Sequence, residues 1–228
     1  MLAVIADDIT GAAEIAGVGL RFGLRVSLLT QSGTLPECDL LVYATDTRSL
    51  PEDEAVDVSK RVMKELLQYG CTTFYKKTDS ALRGHIVPEL KALLGELEFK
   101  KALLIPQNPS KERIIKDGIY LINNAPIHQT SFANDPEFPV YTSIVKDYLK
   151  DVQLIDTSTN IIGDGIFIAD ASDSEDIRDH ISHIKDEKIL FAGGADFFTE
   201  YLLSKRKTIK ELPDFEGLKD QSSVVICG

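Results

Sequence analysis

Two short stretches of the chain gather more chemistry-bearing side chains than a fold alone needs. The first, Asp7-Asp8-Ile9-Thr10-Gly11, comes directly after the apolar run of residues 2–6. Adjacent carboxylates in one turn repel each other, so such a pair calls for hydroxyl ligands, a cation or a proton to take. Gly11, Ala12 and Ala13 keep the entrance of the next helix free of bulk, which lets backbone N–H groups approach an anionic group. The plain alternative is that Asp8 or Thr10 only caps a helix. The second stretch runs Lys76-Lys77-Thr78-Asp79-Ser80-Ala81-Leu82-Arg83-Gly84-His85. Its mixture of cations, an acid and a hydroxyl suits a polyhydroxylated carboxylate or a phosphate, with Arg83 supplying a bidentate fork. Here the plain alternative makes Asp79 or Ser80 a helix cap and Lys77 or Arg83 its surface partner. A third turn, Thr45-Asp46-Thr47-Arg48, adds Arg48 as a further candidate or is a surface turn.

The elements that would position these residues are legible as periodicity. Residues 2–6 suit a buried strand, and Ala12, Ile15, Ala16, Gly19 and Phe22 recur at helical spacing behind Thr10 as the expected cap. Residues 25–30 and 40–45 read as strands. Ser49-Leu50-Pro51-Glu52 has the form of a capping box ahead of a helical stripe through Ala55, Val58, Val62, Leu66 and Tyr69. Residues 73–77 are strand-like, Ile86, Leu90, Leu93, Leu94 and Leu97 mark another helix, and 102–105 is a strand. Alternation of this kind implies a parallel sheet with helices packed on it, and places all three turns at one edge, where open α/β sheets bind ligands.

Residues 106–139 break the pattern with five of the chain's nine prolines and short strand-like pieces near 119–122. Lys111, Arg113 and Lys116 in this excursion face either a phosphate or water. Alternation resumes with a short helix at 142–149, strands at 153–155 and 165–169, a helix opened by a Ser172-x-x-Glu175 box, a strand at 189–192 and a helix at 196–203. The expected fold class is α/β, a three-layer domain with a mainly parallel sheet and helices on both faces, plus a Pro-rich irregular or hairpin excursion. Residues 1–204 form this domain, 205–222 a polar linker, and 223–228 a further strand that runs into a glycine.

With 25 basic against 36 acidic residues, the formal charge of −11 disfavours nucleic acid and anionic membranes as partners. No apolar run approaches the ~20 residues of a membrane span, and the three cysteines lack CxxC spacing, which together make a cytoplasmic location the default. The P-loop, the strand-linked GxGxxG and the GxSxG elbow are missing from the sequence. His180 and His183 stand three apart on a helix without a third ligand in reach, so no metal site is expected. Gly193-Gly194 fits a plain turn or a close approach to a ligand.

The ordered set IADDITGA (5–12), TDTRSLPEDEA (45–55), KKTDSALRGH (76–85), the run from IPQNPSKER to DPEFPV (105–140) and FIADASDSEDI (167–177) resembles the N-terminal half of the four-carbon acid sugar kinases. The resemblance implies that this part binds a sugar acid such as threonate, erythronate or an oxo-tetronate. It also implies a C-terminal nucleotide-binding domain that binds ATP with Mg2+, absent from the chain but for 223–228 as its first strand, and phosphorylation of the terminal hydroxyl. It carries Asp7, Asp8, Thr10 and Gly11, and Lys77, Asp79, Ser80, Arg83 and Gly84, into the site. On this basis Asp7 or Asp8 orients or deprotonates the hydroxyl, and Arg83 and Lys77 hold the carboxylate or offset phosphoryl charge. Asp79, Ser80 and Thr10 bond the remaining hydroxyls. The chain departs from the family's pattern at Ala13-Glu14, where relatives carry Asn-Asp, a change that bears on substrate identity. The partner is a small-molecule sugar acid, and homo-oligomer formation is left open. A non-catalytic sugar-acid binding or sensing module is the alternative function, and a sugar-acid hydrolase or isomerase a third.

Overall fold

The runs LAVIA and LLVYA carry no polar alternation, as a strand needs when helices cover both faces of its sheet. In the computed structural model, which describes residues 1–35, 37–159, 161–184 and 188–205, they form β1 (Leu2–Ala6) and β3 (Leu40–Ala44) at the centre of one half of an eight-stranded sheet. The other strands are β2 (Val26–Leu29), β4 (Thr73–Lys77), β5 (Lys101–Ile105), β9 (Val152–Ile155), β10 (Gly165–Ala169) and β11 (Ile189–Gly193). Their order is β2-β3-β1-β4-β11-β5-β10-β9, and every pairing is parallel.

Alternate side chains of each strand feed two cores. Ala3, Ile5, Leu41 and Tyr43 meet Val62, Met63 and Leu66 of α2 (Glu52–Gln68) and Ile86, Leu90 and Leu93 of α3 (Ile86–Leu97). Val4, Ala6, Leu40 and Val42 meet Ala12 and Ile15 of α1 (Ile9–Arg21), and the same cluster takes in Ile177 of α5 (Ser174–His183) and Phe197 and Phe198 of α6 (Ala195–Lys205). Leu90 is fully buried, so truncating it to Ala costs about 2–5 kcal/mol. This is the three-layer arrangement the alternation predicts.

The Pro-rich excursion is a three-stranded antiparallel sheet, β6 (Arg113–Lys116), β7 (Ile119–Ile122) and β8 (Ala125–Pro126). Two-residue turns, Asp117-Gly118 and Asn123-Asn124, connect it, all four residues having positive φ as tight hairpins demand. Ile115 and Tyr120 bury this sheet against the α2/α3 core. A short helix, α4 (Val145–Tyr148), leads back to β9.

Three expected caps are placed differently. Asp8, not Thr10, caps α1. Pro51 precedes α2 without a side-chain cap, because Ser49 turns its hydroxyl to Glu137 at 2.6 Å. Asp173 caps α5 by accepting from Glu175 and Asp176 N–H, one residue after the expected Ser172. The linker and final strand expected over 205–222 and 223–228 lie outside the described residues, except Lys205, which ends α6. Among the described residues no helix is long and apolar enough to cross a membrane, and Cys38 and Cys71 are free thiols.

The order of connections fixes where a ligand fits. From β1 the chain builds β2 and β3 on one side, then crosses to β4 on the other. The carboxyl ends of β1 and β4 therefore flank a reversal of winding direction, the place where open α/β sheets leave a crevice.

Candidate functional site

At the end of β1, Asp8 adopts extended backbone and its side chain caps α1, accepting from Gly11 N–H at 2.8 Å and from the Thr10 hydroxyl. The carboxylate is thus held over the helix N-terminus, where the macrodipole favours negative charge. Asp7 points the other way, into the fold, and is 3% exposed. Its Oδ2 accepts from Arg48 Nε at 2.9 Å, whereas its buried Oδ1 has no hydrogen-bond partner.

Arg48 reaches both acids because the turn after β3 is tied to the end of β1. Thr45 N–H and hydroxyl donate to Ala6 O, and Thr47 and Arg48 N–H donate to Asp7 O. The guanidinium then spans the pair, Nε on Asp7 and Nη1 on Asp8 at 2.9 Å. This bridge resolves the repulsion between adjacent carboxylates. Behind it, Lys76 and Glu89 form an almost fully buried ion pair at 2.8 Å, with Glu89 also accepting from Thr47 at 2.6 Å and Ser59 at 3.1 Å.

The loop from β4 to α3 is built on Asp79. Its Oδ2 accepts from Ala81 N–H, Arg83 N–H and Arg83 Nε, and its Oδ1 from Arg83 Nη2 at 3.0 Å. With its lone pairs spent this way, Asp79 positions the loop. Leu82 has a φ of 65°, a conformation costing an L-residue about 1–2 kcal/mol and concentrated at functional sites. The turn returns Arg83 toward Asp79 and Asp135, the latter at 3.2 Å. Helix α3 begins only at Ile86, so neither Asp79 nor Ser80 is a helix cap.

These turns enclose a cleft of about 460 Å³. Arg48, Lys77, Arg83, Lys111 and Arg113 line it, against the acids Asp8, Glu14 and Asp79. Five cations to three acids give the cleft a positive balance in a chain of charge −11. Arg83 and Arg113 stack on the Phe132 ring, their guanidinium carbons 5.5 and 5.6 Å from its centroid. Arg113 donates to the Ser80 hydroxyl and meets no carboxylate among the described residues. A hollow of about 480 Å³ at the amino ends of the strands is lined by Phe74, Phe99, Phe191 and Tyr201, and gathers no acids among the described residues.

The two adjacent acids are shifted in opposite directions. Burial pushes the Asp7 carboxyl above its ordinary value, an effect that Lys76 and Arg48 only partly offset. Asp8 is pushed the same way by partial burial, but the Thr10 hydroxyl, Arg48 and Gly11 N–H together hold it below the usual range. Asp79 is likewise lowered, burial being outweighed by Arg83 and Arg48. Asp8 is therefore an ionised hydrogen-bond acceptor on the cleft wall, and Asp7 a buried acid behind it.

Of the residues expected from the sequence, Asp8, Thr10, Gly11, Arg48, Lys77, Asp79, Ser80 and Arg83 line the cleft. Asp7 and Gly84 stand behind it. Gly84, at φ +85°, packs against Asp7 and Arg48, where a Cβ would lie 3.3 Å from Asp7 Oδ2. The sequence pattern does not select Glu14, Asn108, Lys111 or Arg113 as site residues, although the basic run of 111–116 marks two of them. His180 is buried, donating from Nε2 to Asp170 O at 2.8 Å, and no group of three or more His, Cys, Asp or Glu placed to hold a metal occurs among the described residues. Gly193 and Gly194 lie against the backbone of 105–108 and serve packing.

Comparison with known proteins identifies the family of the chain. Residues 2–201 match the family model of the sugar-binding N-terminal domain. The D-threonate kinase of Salmonella typhimurium is 27% identical over 195 residues, covering 76% of this chain and 46% of that protein. The 3-oxo-tetronate kinase of Haemophilus influenzae is 33% identical over 61% of this chain and 36% of its own, and the D-erythronate kinase of Heliobacterium modesticaldum 31% over 63% and 34%. The chain thus spans less than half the length of these curated relatives. A crystal structure of a domain of unknown function from Bordetella bronchiseptica, a domain-swapped dimer with bound citrate, superposes with a TM-score of 0.78 at 22% identity over 88% of this chain and 56% of that one. The Haemophilus influenzae protein HI1011 also gives 0.78, at 24% identity over 90% and 57%.

Proposed function

Because the chain belongs to the family of sugar-binding N-terminal domains, we propose that its cleft binds a four-carbon sugar acid as the substrate-holding half of an ATP-dependent kinase that phosphorylates the acid's terminal hydroxyl. The observation that carries this reading is the cationic balance of the cleft, set beside hydroxyl-binding groups in an otherwise acidic chain. The kinase names of the relatives support the reaction class.

Arg113 takes the substrate carboxylate, since among the described residues its fork donates only to the neutral Ser80 hydroxyl and is held flat by Phe132. Thr10 and Ser80 supply hydroxyl partners. Asp8, ionised and fixed by Arg48 and the α1 cap, accepts the hydrogen bond of the reacting hydroxyl and orients it. Phosphoryl transfer runs through a loose transition state, so orientation and charge matter more than a strong base, and a lowered carboxylate suffices. Asp7 holds Arg48 from behind. ATP supplies the phosphoryl group in this reading. Mg2+ accompanies ATP in this reading and is assigned to no side chain of the cleft.

The test is ADP release by the gene's whole product with D-threonate, D-erythronate and 3-oxo-tetronate. One of them is expected to sustain turnover, with Arg113→Gln lowering kcat/KM at least about tenfold through loss of a charged hydrogen bond. No ADP release with any four-carbon acid would contradict the reading.

A further inference from the structure

We propose that Lys77 and Lys111 form a phosphate subsite in the cleft, and that Glu14 occupies this lysine pair as a built-in counter-ion until a phosphate displaces it. The chemical identity of the phosphate's carrier, a phosphorylated four-carbon acid, rests on the reading above; the anion subsite rests on geometry alone.

Three elements converge there. Glu14, on the second turn of α1, sends Oε1 to Lys111 and Oε2 to Lys77 at 3.5 Å. Lys77 ends β4 with its side chain only 5% exposed, yet it lines the cleft and anchors its ammonium on Thr78 O at 3.0 Å. Lys111 arrives from the short helical turn Pro109–Lys111, pinned by its own N–H to Asn108 O at 2.9 Å. The Asn108 side chain in turn accepts from Asp196 N–H at the start of α6.

Charge balance separates phosphate from carboxylate at this pair. Glu14 offers one negative charge to two ammoniums. A second monocarboxylate would repeat that arrangement, whereas a phosphate ester with about −1.5 to −2 charges at neutral pH matches both cations. Lysines act here as point charges, while the planar fork of Arg113 at Phe132 fits a carboxylate. The cleft thus has two kinds of anion grip for one molecule carrying both groups. The lysine grip also adjoins Asp8. A Cβ on Gly11 would stand 2.6 Å from Asp8 Oδ1 and 3.1 Å from Lys77 Nζ. The carboxylate that orients the reacting hydroxyl and the ammonium that receives the phosphate are neighbours, as a terminally phosphorylated product requires.

Calorimetric titration of this chain with inorganic phosphate, and with acetate as a monoanion control, tests the subsite. Glu14→Gln is expected to tighten phosphate roughly three- to tenfold, the effect of removing a competing partner from one exposed and one buried lysine, and to change acetate less. Lys111→Gln, at an exposed side chain, is expected to weaken phosphate and to abolish the gain in the double variant. Unchanged or weaker phosphate binding by Glu14→Gln, or equal tightening of acetate, would overturn the proposal. D-threonate titrated in parallel keeps the two readings apart. Threonate binding without a Glu14 effect on phosphate overturns the subsite alone. A selective Glu14 effect in a chain that binds no four-carbon acid upholds the subsite and overturns the sugar-acid reading.

Discussion

Replacing Gly11 with alanine should separate the site from the fold that carries it. The new Cβ would lie 2.6 Å from Asp8 Oδ1 and 3.1 Å from Lys77 Nζ, so the Asp8 carboxylate has to move. In the helix itself alanine gains up to about 1 kcal/mol over glycine. Displacing Asp8 weakens the cap bond to residue 11, now 2.8 Å, and losing such a cap costs about 1 kcal/mol. The two terms nearly cancel, so the unfolding free energy should stay within about 1 kcal/mol of wild type, roughly 2–4 °C in Tm for a domain of this size. Ligand binding has no such compensation, because Asp8, Thr10 and Arg48 are all placed through that carboxylate. Thermal melts without ligand, paired with calorimetry using the tightest-binding four-carbon acid, should show near-native stability and at least tenfold weaker binding. Wild-type affinity in a normally stable variant would refute the assigned role of Asp8. A loss of more than about 3 kcal/mol would show instead that Gly11 serves the fold.

Asp8→Asn keeps a good capping residue but removes the charge that Arg48 and Thr10 address. Stability should change by less than about 1 kcal/mol while turnover of the whole gene product falls at least tenfold; unchanged kcat/KM would contradict the role. Lys76→Met strands Glu89, 2% exposed, and should cost about 3–5 kcal/mol in chemical denaturation, partly recovered by adding Glu89→Gln; a single variant as stable as wild type would contradict the buried pair. Acid should unfold the protein partly through Asp79 and Asp8, whose folded pKa values are held low. Their stabilisation is present above the ordinary carboxylate pKa of about 4 and is lost as pH falls through the folded values. Asp7, raised by burial, contributes with opposite sign. Melting temperatures across pH 4 to 2 should therefore fall less steeply in Asp79→Asn than in wild type; an equal slope would remove Asp79 from the account.

The strands and long helices are legible in the sequence because burial on both sheet faces leaves unbroken apolar runs, and helices packed on one side leave a stripe every three or four residues. β1, β4, β5 and α3 match that pattern within a residue. Caps are less legible because several adjacent side chains compete for the same N–H groups. Ser49 fits a capping box but finds Glu137, which is 88 positions away in sequence. Both acidic turns are visible as clusters, yet their division of labour is not. Asp7 and Asp8 look alike in sequence, and only the alternation of β1 carried past its end sends one inward and the other to the cap. Asp79 reads as a hydroxyl ligand, whereas the loop's own N–H groups and Arg83 consume it. Lys111 and Arg113 are visible as a basic run but are brought to the cleft by tertiary folding of the Pro-rich segment, where they meet Glu14 from α1, and local spacing holds no signal for that meeting.

The most direct test of the central claim compares an acid with its neutral counterpart. The chain is titrated calorimetrically with D-threonate, D-erythronate and 3-oxo-tetronate, and with threitol and erythritol, which keep four carbons and hydroxyls but lack the carboxylate. The cationic cleft predicts saturable binding of at least one acid, weakened by added salt, and no detectable binding of either tetritol at the same concentrations. A tetritol that binds as tightly as the acids, or no binding by any of the acids, would contradict it.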